Sequence, residues 1–370
     1  MPLPELVIFA GGMSGSPVEQ MLADALAEDT LDTLEKVVES GGVSGAILAT
    51  DTPDMAGRSP VDVKVDADQG PFHFGERLSD VIRRHNLERL IYVGAGSAPL
   101  MTGEDFFSIG HFLGMAWNMV LTNNFYSADF VAFVPGEALL QIEPPSTDNA
   151  LARVLRDQAG LAVQDLPRTT ATQFNIDSPS DLAVLKLVGR GGPRLSAWLT
   201  KADLDTSRYQ ASLASMTDPN AEILVAGRVS SQVWQHLERQ TACRVRMFSE
   251  ERGMRAAHRE QTGVARSFLA YHLKEVGCAR FFQELAEMAS AAFIDTRVIL
   301  AHLGGHPSRA DRFQSDLGHY QGIDDPFLRE FTEAAVKAPI PVLLGGHSLV
   351  CGGLMALIEA AWGDSSAKPQ

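Results

Sequence analysis

Imidazole, carboxylate and guanidinium groups crowd one stretch of this sequence, residues 295–319. His302, His306, Arg309, Asp311, Arg312, Asp316 and His319 fall there among Gly, Pro and Ser. His302, His306, Asp311 and Asp316 offer the donor atoms that Zn²⁺, Mn²⁺ or Fe²⁺ would take, and Arg312 suits a phosphate or carboxylate. No zinc signature such as HExxH accompanies them, so loop histidines and Arg–Asp surface pairs compete as the explanation. A second set sits where strands are expected to end. Arg228 follows the run Glu222–Ala226, Glu250 and Arg252 follow Arg244–Phe248, His302 follows Arg297–Ala301, and His347 and Ser348 follow Val342–Leu344. In a parallel sheet these positions meet at one edge, where ligands collect in open α/β folds. Arg228, His302 and His347 are therefore the candidate catalytic groups, with Arg252, Arg312 and Ser348 as anion binders. Ser348 is not a hydrolase nucleophile. Val350 stands where the elbow needs glycine, and no histidine follows Ser348 to complete a triad.

The first half offers different chemistry. Gly11-Gly12-Met13-Ser14-Gly15 follows an apolar run and precedes a helical pattern. Such a turn lets backbone N–H groups and a helix N-terminus meet phosphate oxygens, through Gly11, Gly12, Ser14 and Gly15. A second glycine turn, Gly94-Ala95-Gly96-Ser97, follows Leu90–Val93. Asn123, beside Phe125 and Tyr126, could read a base or sugar, or simply cap a helix end. Farther on, Phe174-Asn175-Ile176-Asp177-Ser178-Pro179 reads as a strand closed by an aspartate, with Ser-Pro opening a helix.

Strand and helix patterns alternate through both halves. Leu6–Ala10, Ala46–Ala49, Leu90–Val93 and Asp129–Val134 read as strands, with helices over 17–40 and 76–85 and a short edge strand at Val61–Val65. That rhythm predicts an α/β fold with a mainly parallel, Rossmann-like sheet, followed by a second α/β domain. Gly189-Arg190-Gly191-Gly192-Pro193 reads as the linker. The expected boundaries are 1–188, a linker at 189–195, a second domain at 196–364, and a tail at 365–370. Helices are expected at Val264–Val276 and Cys278–Ala292.

The formal charge of −15 argues against a nucleic-acid surface, which needs a basic footprint. Cys243, Cys278 and Cys351 are too few and scattered for a disulfide framework. The N-terminal apolar run is too short for a signal peptide, and no stretch reaches the length of a membrane span. These features predict a cytoplasmic protein with no membrane partner.

In order and separation, the two glycine turns and the Asp177 segment resemble the nucleotidyltransferase superfamily, over about residues 5–188. The nearest branches are the molybdenum-cofactor guanylyltransferase and phospholactate guanylyltransferase type. That resemblance implies a nucleoside triphosphate held by the first turn and by Gly96 and Ser97, and Mg²⁺ held by Asp177. Two positions depart from it. Residues 13–27 contain neither Lys nor Arg, and Ser97 stands where the family places a metal-binding aspartate. Three functions follow as expectations: Mg²⁺-dependent nucleotidyl transfer to a small phosphorylated or carboxylate acceptor; non-catalytic binding of a nucleotide or anionic metabolite; or metal-dependent hydrolase or lyase chemistry at the second-half His/Asp cluster. The partner is a nucleotide or anionic small molecule in the first two. Homo-oligomerisation stays open.

Overall fold

The computed structural model describes residues 2–12, 15–67 and 70–363; Ser14 and the tail at 365–370 lie outside the described residues. In chain order the first elements are β1 (Glu5–Ala10), α1 (Pro17–Glu39), β2 (Gly45–Thr50), β3 (Lys64–Ala67), α2 (Phe74–His85), β4 (Leu90–Gly94), α3 (Gly103–Met115), β5 (Met119–Thr122), β6 (Phe130–Val134), α4 (Leu151–Asp157), β7 (Ala162–Asp165) and α5 (Thr170–Gln173). Then come α6 (Pro179–Val188), α7 (Pro193–Lys201), α8 (Ser207–Thr217), β8 (Glu222–Gly227), α9 (Ser231–Gln240), β9 (Arg244–Ser249), α10 (Phe268–Val276), α11 (Cys278–Met288), β10 (Ala291–Asp295), α12 (Thr296–Leu303), α13 (Arg309–Leu317), α14 (Pro326–Val336), β11 (Val342–Gly345) and α15 (Leu354–Ala361).

The chain is α/β, with a mostly parallel seven-stranded sheet in order β3-β2-β1-β4-β6-β5-β7 and a four-stranded sheet in order β11-β10-β8-β9. In the first sheet only β6 runs against its neighbours β4 and β5. Alternate residues of its strands feed two cores. Leu6, Ile8, Ile91 and Val93 face one side, and Val7, Ile47, Leu90 and Tyr92 face the other. Burial on both faces explains why these strands read as continuous apolar runs rather than as alternating ones. The expected edge strand forms slightly later, as β3.

The second sheet is parallel throughout. Leu224, Ala226, Ala292, Ile294, Val342 and Leu344 pack one face against Phe281, Phe282 and Phe331 of α11 and α14. Residues Ile223, Val225, Phe293 and Leu343 on the other face are also buried.

Two compact units result, and the chain passes between them more than once. Ala23–Gln173 and Gly191–Trp198 belong with the first sheet; Phe174–Arg190, residues 15–22 and everything from Leu199 belong with the second. The Gly-rich stretch read as a linker is thus a return of the chain. Asp32 of α1 accepts from Arg194 N (3.1 Å) and Leu195 N (3.0 Å), capping α7. A side chain at Gly192 would strike that same carboxylate, 2.2 Å from Oδ2.

Three expectations are corrected. Arg297–Ala301 is not a strand but the body of α12, whose first turn Asp295 caps by accepting from Arg297 N. A short apolar run is compatible with either state, and the cap decides it. The strand here is β10, and α11 ends at Met288 to make room for it. Residues 174–177 form no strand; the four preceding residues are α5, and Asn175 is held by a side chain rather than a ladder, as described below.

Candidate functional site

In the first unit the strand order reverses at β1, with β2 on one side and β4 on the other. Registers of Ala10 with Thr50 and of Phe9 with Gly94 align the strand ends. Both glycine turns therefore sit at a topological switch point, the usual ligand crevice of an open α/β sheet. Carboxylates hold them. Gly12 N donates to Asp51 Oδ2 (2.9 Å), and the backbone of Gly96 favours the charged form of buried Asp29. The half-buried Lys36 ammonium donates to Ala98 O (2.8 Å). Ser97 is buried as well. Asn123, read as a base or sugar contact, spends its amide on the protein. Nδ2 donates to Thr172 O (3.2 Å), and Oδ1 accepts from Asp129 N and Phe130 N (both 3.3 Å).

Asp29 supplies a pH test. Burial, only partly opposed by Lys36, pushes its carboxyl up to about 6 from 3.8. A carboxyl raised on folding favours the native state at low pH, and that contribution is lost as pH rises from about 4 through about 6. Asp29→Asn should therefore be more stable than the parent at pH 7.5, by roughly 2–3 kcal/mol, and match it near pH 4. Urea unfolding at both pH values checks this. A gap that fails to widen with pH would contradict the burial of Asp29.

The second unit has its own switch point, between β8 and β10. Gly227 and Arg228 leave β8 there, and Asp295 closes β10. A bidentate pair joins them, with Arg228 Nε to Asp295 Oδ2 at 2.6 Å and Nη2 to Oδ1 at 3.1 Å. Burial pushes the Asp295 carboxyl up, but Arg228, with His347 and Arg297, outweighs it and holds the group below the usual carboxylate range. Gly227 makes the approach possible. Its φ is +125°, and an added Cβ would lie 2.3 Å from Asp295 Cβ. Behind this pair, Arg297 forks onto Asp316 with both bonds at 2.6 Å, and Nη1 also reaches Thr296 Oγ1 (2.8 Å). Asp316 counters the burial of Arg297 and raises its proton affinity. At the end of β11, burial and the Arg228 charge depress His347 to about 4, leaving a neutral imidazole at pH 7.

Asp177 and Arg255 feel the charges of Arg228 and Arg297. Asp177 is exposed to solvent; enclosure by protein is nonetheless the largest influence on its carboxyl, raising it against the pull of Arg255, Arg228 and Arg297. Its backbone is pinned: Asp177 N and Ser178 N donate to Asp181 Oδ2 at 2.9 and 2.8 Å. One turn away, Ser348 Oγ donates to Asn175 O and accepts from Asn175 N (3.3 Å). Enclosure and neighbouring guanidiniums lower the proton affinity of half-buried Arg312; the same influences act on Arg255, although its side chain is 57% exposed. Arg312 donates to Pro307 O (2.7 Å) and has no ion pair among the described residues. The nearest carboxylate to Arg255 is Glu260, at 3.9 Å. Exposed Arg252 has no ion pair among the described residues either. The start of α1 belongs to this unit too; Glu19 feels the charges of Arg309 and Arg312, lying 3.5 Å from Arg309 Nε.

No family model matches the chain, and no curated protein does. Solved structures do. A protein described as a nucleotide-diphospho-sugar transferase from Desulfovibrio desulfuricans G20 is 15% identical, covering 55% of this chain and 96% of its own, with a TM-score of 0.40. A cytidylyltransferase from Leptospira borgpetersenii is 14% identical, covering 50% and 86%, at 0.39. HddC from Yersinia pseudotuberculosis, in complex with GMP-PN, is 11% identical, covering 48% and 96%, at 0.34. At this level of similarity no activity is transferred.

The second-half metal set does not assemble. His302 lies on α12, where Nδ1 accepts from Ser267 N (3.0 Å) and the ring packs edge-on to Tyr271. His306 is exposed. Asp311 accepts from Asp324 N (2.8 Å) and Asp325 N (3.2 Å), and Asp316 is committed to Arg297. No group of three His, Cys, Asp or Glu side chains suited to a metal occurs among the described residues. Magnesium does not fit Asp177 either. The charges that act most strongly on that carboxylate are guanidiniums, which repel a dication and favour an anion. Ser348, expected to bind an anion, instead ties the Asn175 segment to β11. The residues missed in the sequence are Gly227, Arg255, Asp295 and Arg297. Of these, Gly227 directly after a strand was the readable signal.

No helix among the described residues is long and apolar enough to cross a membrane.

Proposed function

We propose that the second unit binds a small anionic metabolite, bearing a phosphate or carboxylate, at the C-terminal edge of its parallel sheet. The observation that carries this reading is the pair Arg255 and Arg312. Arg312, half-buried, has no ion pair among the described residues, and exposed Arg255 has only Glu260, at 3.9 Å; Arg255 is also among the charges that lower the proton affinity of Arg312. Arg228 and Arg297 beside them already have carboxylates. Guanidinium forks matched to an incoming anion would relieve both repulsion and desolvation. Nucleotidyl transfer from a nucleoside triphosphate to such an acceptor is the second reading. It is favoured by the strand order of the first sheet, which brings two glycine turns to one crevice.

Titration calorimetry with inorganic phosphate, pyrophosphate, citrate and each nucleoside triphosphate tests both readings. Arg312→Gln should weaken the tightest-binding anion by about tenfold or more, the worth of a charge-assisted hydrogen bond. If no anion binds below millimolar concentration, or the variant binds unchanged, the anion site is wrong. If anions bind but no nucleoside triphosphate does, the transfer reading falls alone.

A further inference from the structure

Eleven large apolar side chains are exposed among the described residues, and four of them crowd between positions 107 and 117: Phe107 (42%), Phe112 (37%), Met115 (73%) and Trp117 (64%). They share the outer side of α3 and the turn that follows it, while Phe106, Ile109 and Leu113 of the same helix fill the core of the first sheet. The helix cannot roll to bury the outer set. A Cβ on Gly110 would lie 1.8 Å from Gly42 O, and one on Gly42 would lie 2.6 Å from Phe107 Cα, so helix and loop meet backbone to backbone. A capping box between Thr102 and Asp105 fixes the start of α3. The exposed rings are held too. The Phe107 and His111 ring centres lie 4.1 Å apart, and the Arg89 guanidinium sits 5.9 Å over Trp117, which lowers the entropy lost when they are covered.

From Phe106 to Ala128 the sequence holds no Asp, Glu, Lys or Arg, in a chain whose formal charge is −15. Another exposed apolar group, Val264, Phe268 and Tyr271, is by contrast interleaved with Arg266, Lys274 and Glu275. The missing charge points to the occupant. A charged partner finds nothing to pair with on this face. A contact about a two-fold axis sets each central group near its own copy, and so excludes unpaired charge from its middle. In an antiparallel pair of α3 helices with His111 at the axis, Phe107 of one copy meets Met115 of the other, each four residues from His111. Glu104 then lies opposite Asn118 instead of a second carboxylate.

The area is sufficient. Side chains of this size carry about 200 Å² each, so the four exposures leave about 400 Å² of apolar surface on the face. Two copies cover about 800 Å² between them, and the polar rim of Glu104, Ser108 and Asn118 brings the total to the roughly 1,000 Å² of a specific interface. We infer that this face of α3 is the contact between two copies of the chain, in a two-fold dimer with its helices antiparallel.

Sedimentation velocity on the full chain near neutral pH tests this. At about 50 µM the parent should run as a species of about 80 kDa, twice the 40.0 kDa chain. Met115→Glu sets carboxylates into the apolar contact and should raise the dissociation constant by about thirtyfold or more. Met115 lies outside the core of the first sheet, so that loss reads association and not folding. Phe268→Glu adds the same charge to the other apolar group and should leave the dimer intact. A monomeric parent, or a Met115→Glu protein that stays dimeric, overturns the inference. Equal dissociation by Phe268→Glu overturns it as well, since net charge and not this face would then govern assembly.

Discussion

Gly227→Ala will cost the protein about 3 kcal/mol or more and abolish anion binding, since overpacking and forbidden backbone geometry act together. Two features of this position add. The backbone φ of +125° is one that a residue with a Cβ rarely adopts, and the new methyl would sit 2.3 Å from Asp295 Cβ. Neither β8 nor β10 can easily retreat. The Gly227 carbonyl accepts from Val229 N (2.8 Å) and Glu250 N (2.9 Å), and Asp295 is fixed by its bidentate pair with Arg228. Relief of the clash must open that pair or spread the two central strands. Gly304→Ala is the matched control. Its φ is +69°, but an added Cβ meets nothing within 4 Å, so only the backbone strain of about 1 kcal/mol applies. Urea denaturation of the two variants gives the comparison. Equal losses would mean that the close approach of Asp295 does not govern this edge.

Removing Asp316 should be nearly as damaging. The Arg297–Asp316 pair is buried on both sides, with side chains 8% and 0% exposed. Stranding the Arg297 guanidinium without its carboxylate is expected to cost about 3–5 kcal/mol in Asp316→Ala. The joint replacement Arg297→Met with Asp316→Leu removes both charges and should recover most of that loss, because no desolvated ion remains. A double-mutant cycle in urea measures the coupling. A loss below about 1 kcal/mol in Asp316→Ala would show that water reaches Arg297 and that the pair is not buried.

Both predictions turn on residues that local pattern treated poorly. Arg297 was read into a strand because Val298–Ala301 is apolar, and apolar runs of that length do not distinguish states. The residue that decides is Asp295, a cap whose side chain also closes the site. His302 then moves from a strand end to the last turn of a helix, and its role changes from catalysis to holding the start of α10. Asp177 shows the converse. Its Ser-Pro helix start was legible. Its neighbours were not, since Arg228, Arg255 and Arg297 lie 51, 78 and 120 residues away in sequence.

Read alone, the amino-acid sequence determined that this chain is α/β, that glycine turns follow its strands, and that Arg228 and His347 follow strands; their sharing one parallel sheet came from the fold. Those properties follow from short-range physics: apolar periodicity, helix caps and the conformational freedom of glycine. It also located the charge deficit of the first glycine turn, which the Asp51 carboxylate at Gly12 deepens in the folded protein. Tertiary structure alone decided which charges cancel. Asp316 became a counter-ion rather than a metal ligand, Asn123 and Ser348 became fasteners, and Asp177 fell in the unit built on the second sheet. Charge pairing depends on distances of a few ångströms between segments far apart in the chain, and no local pattern carries that information.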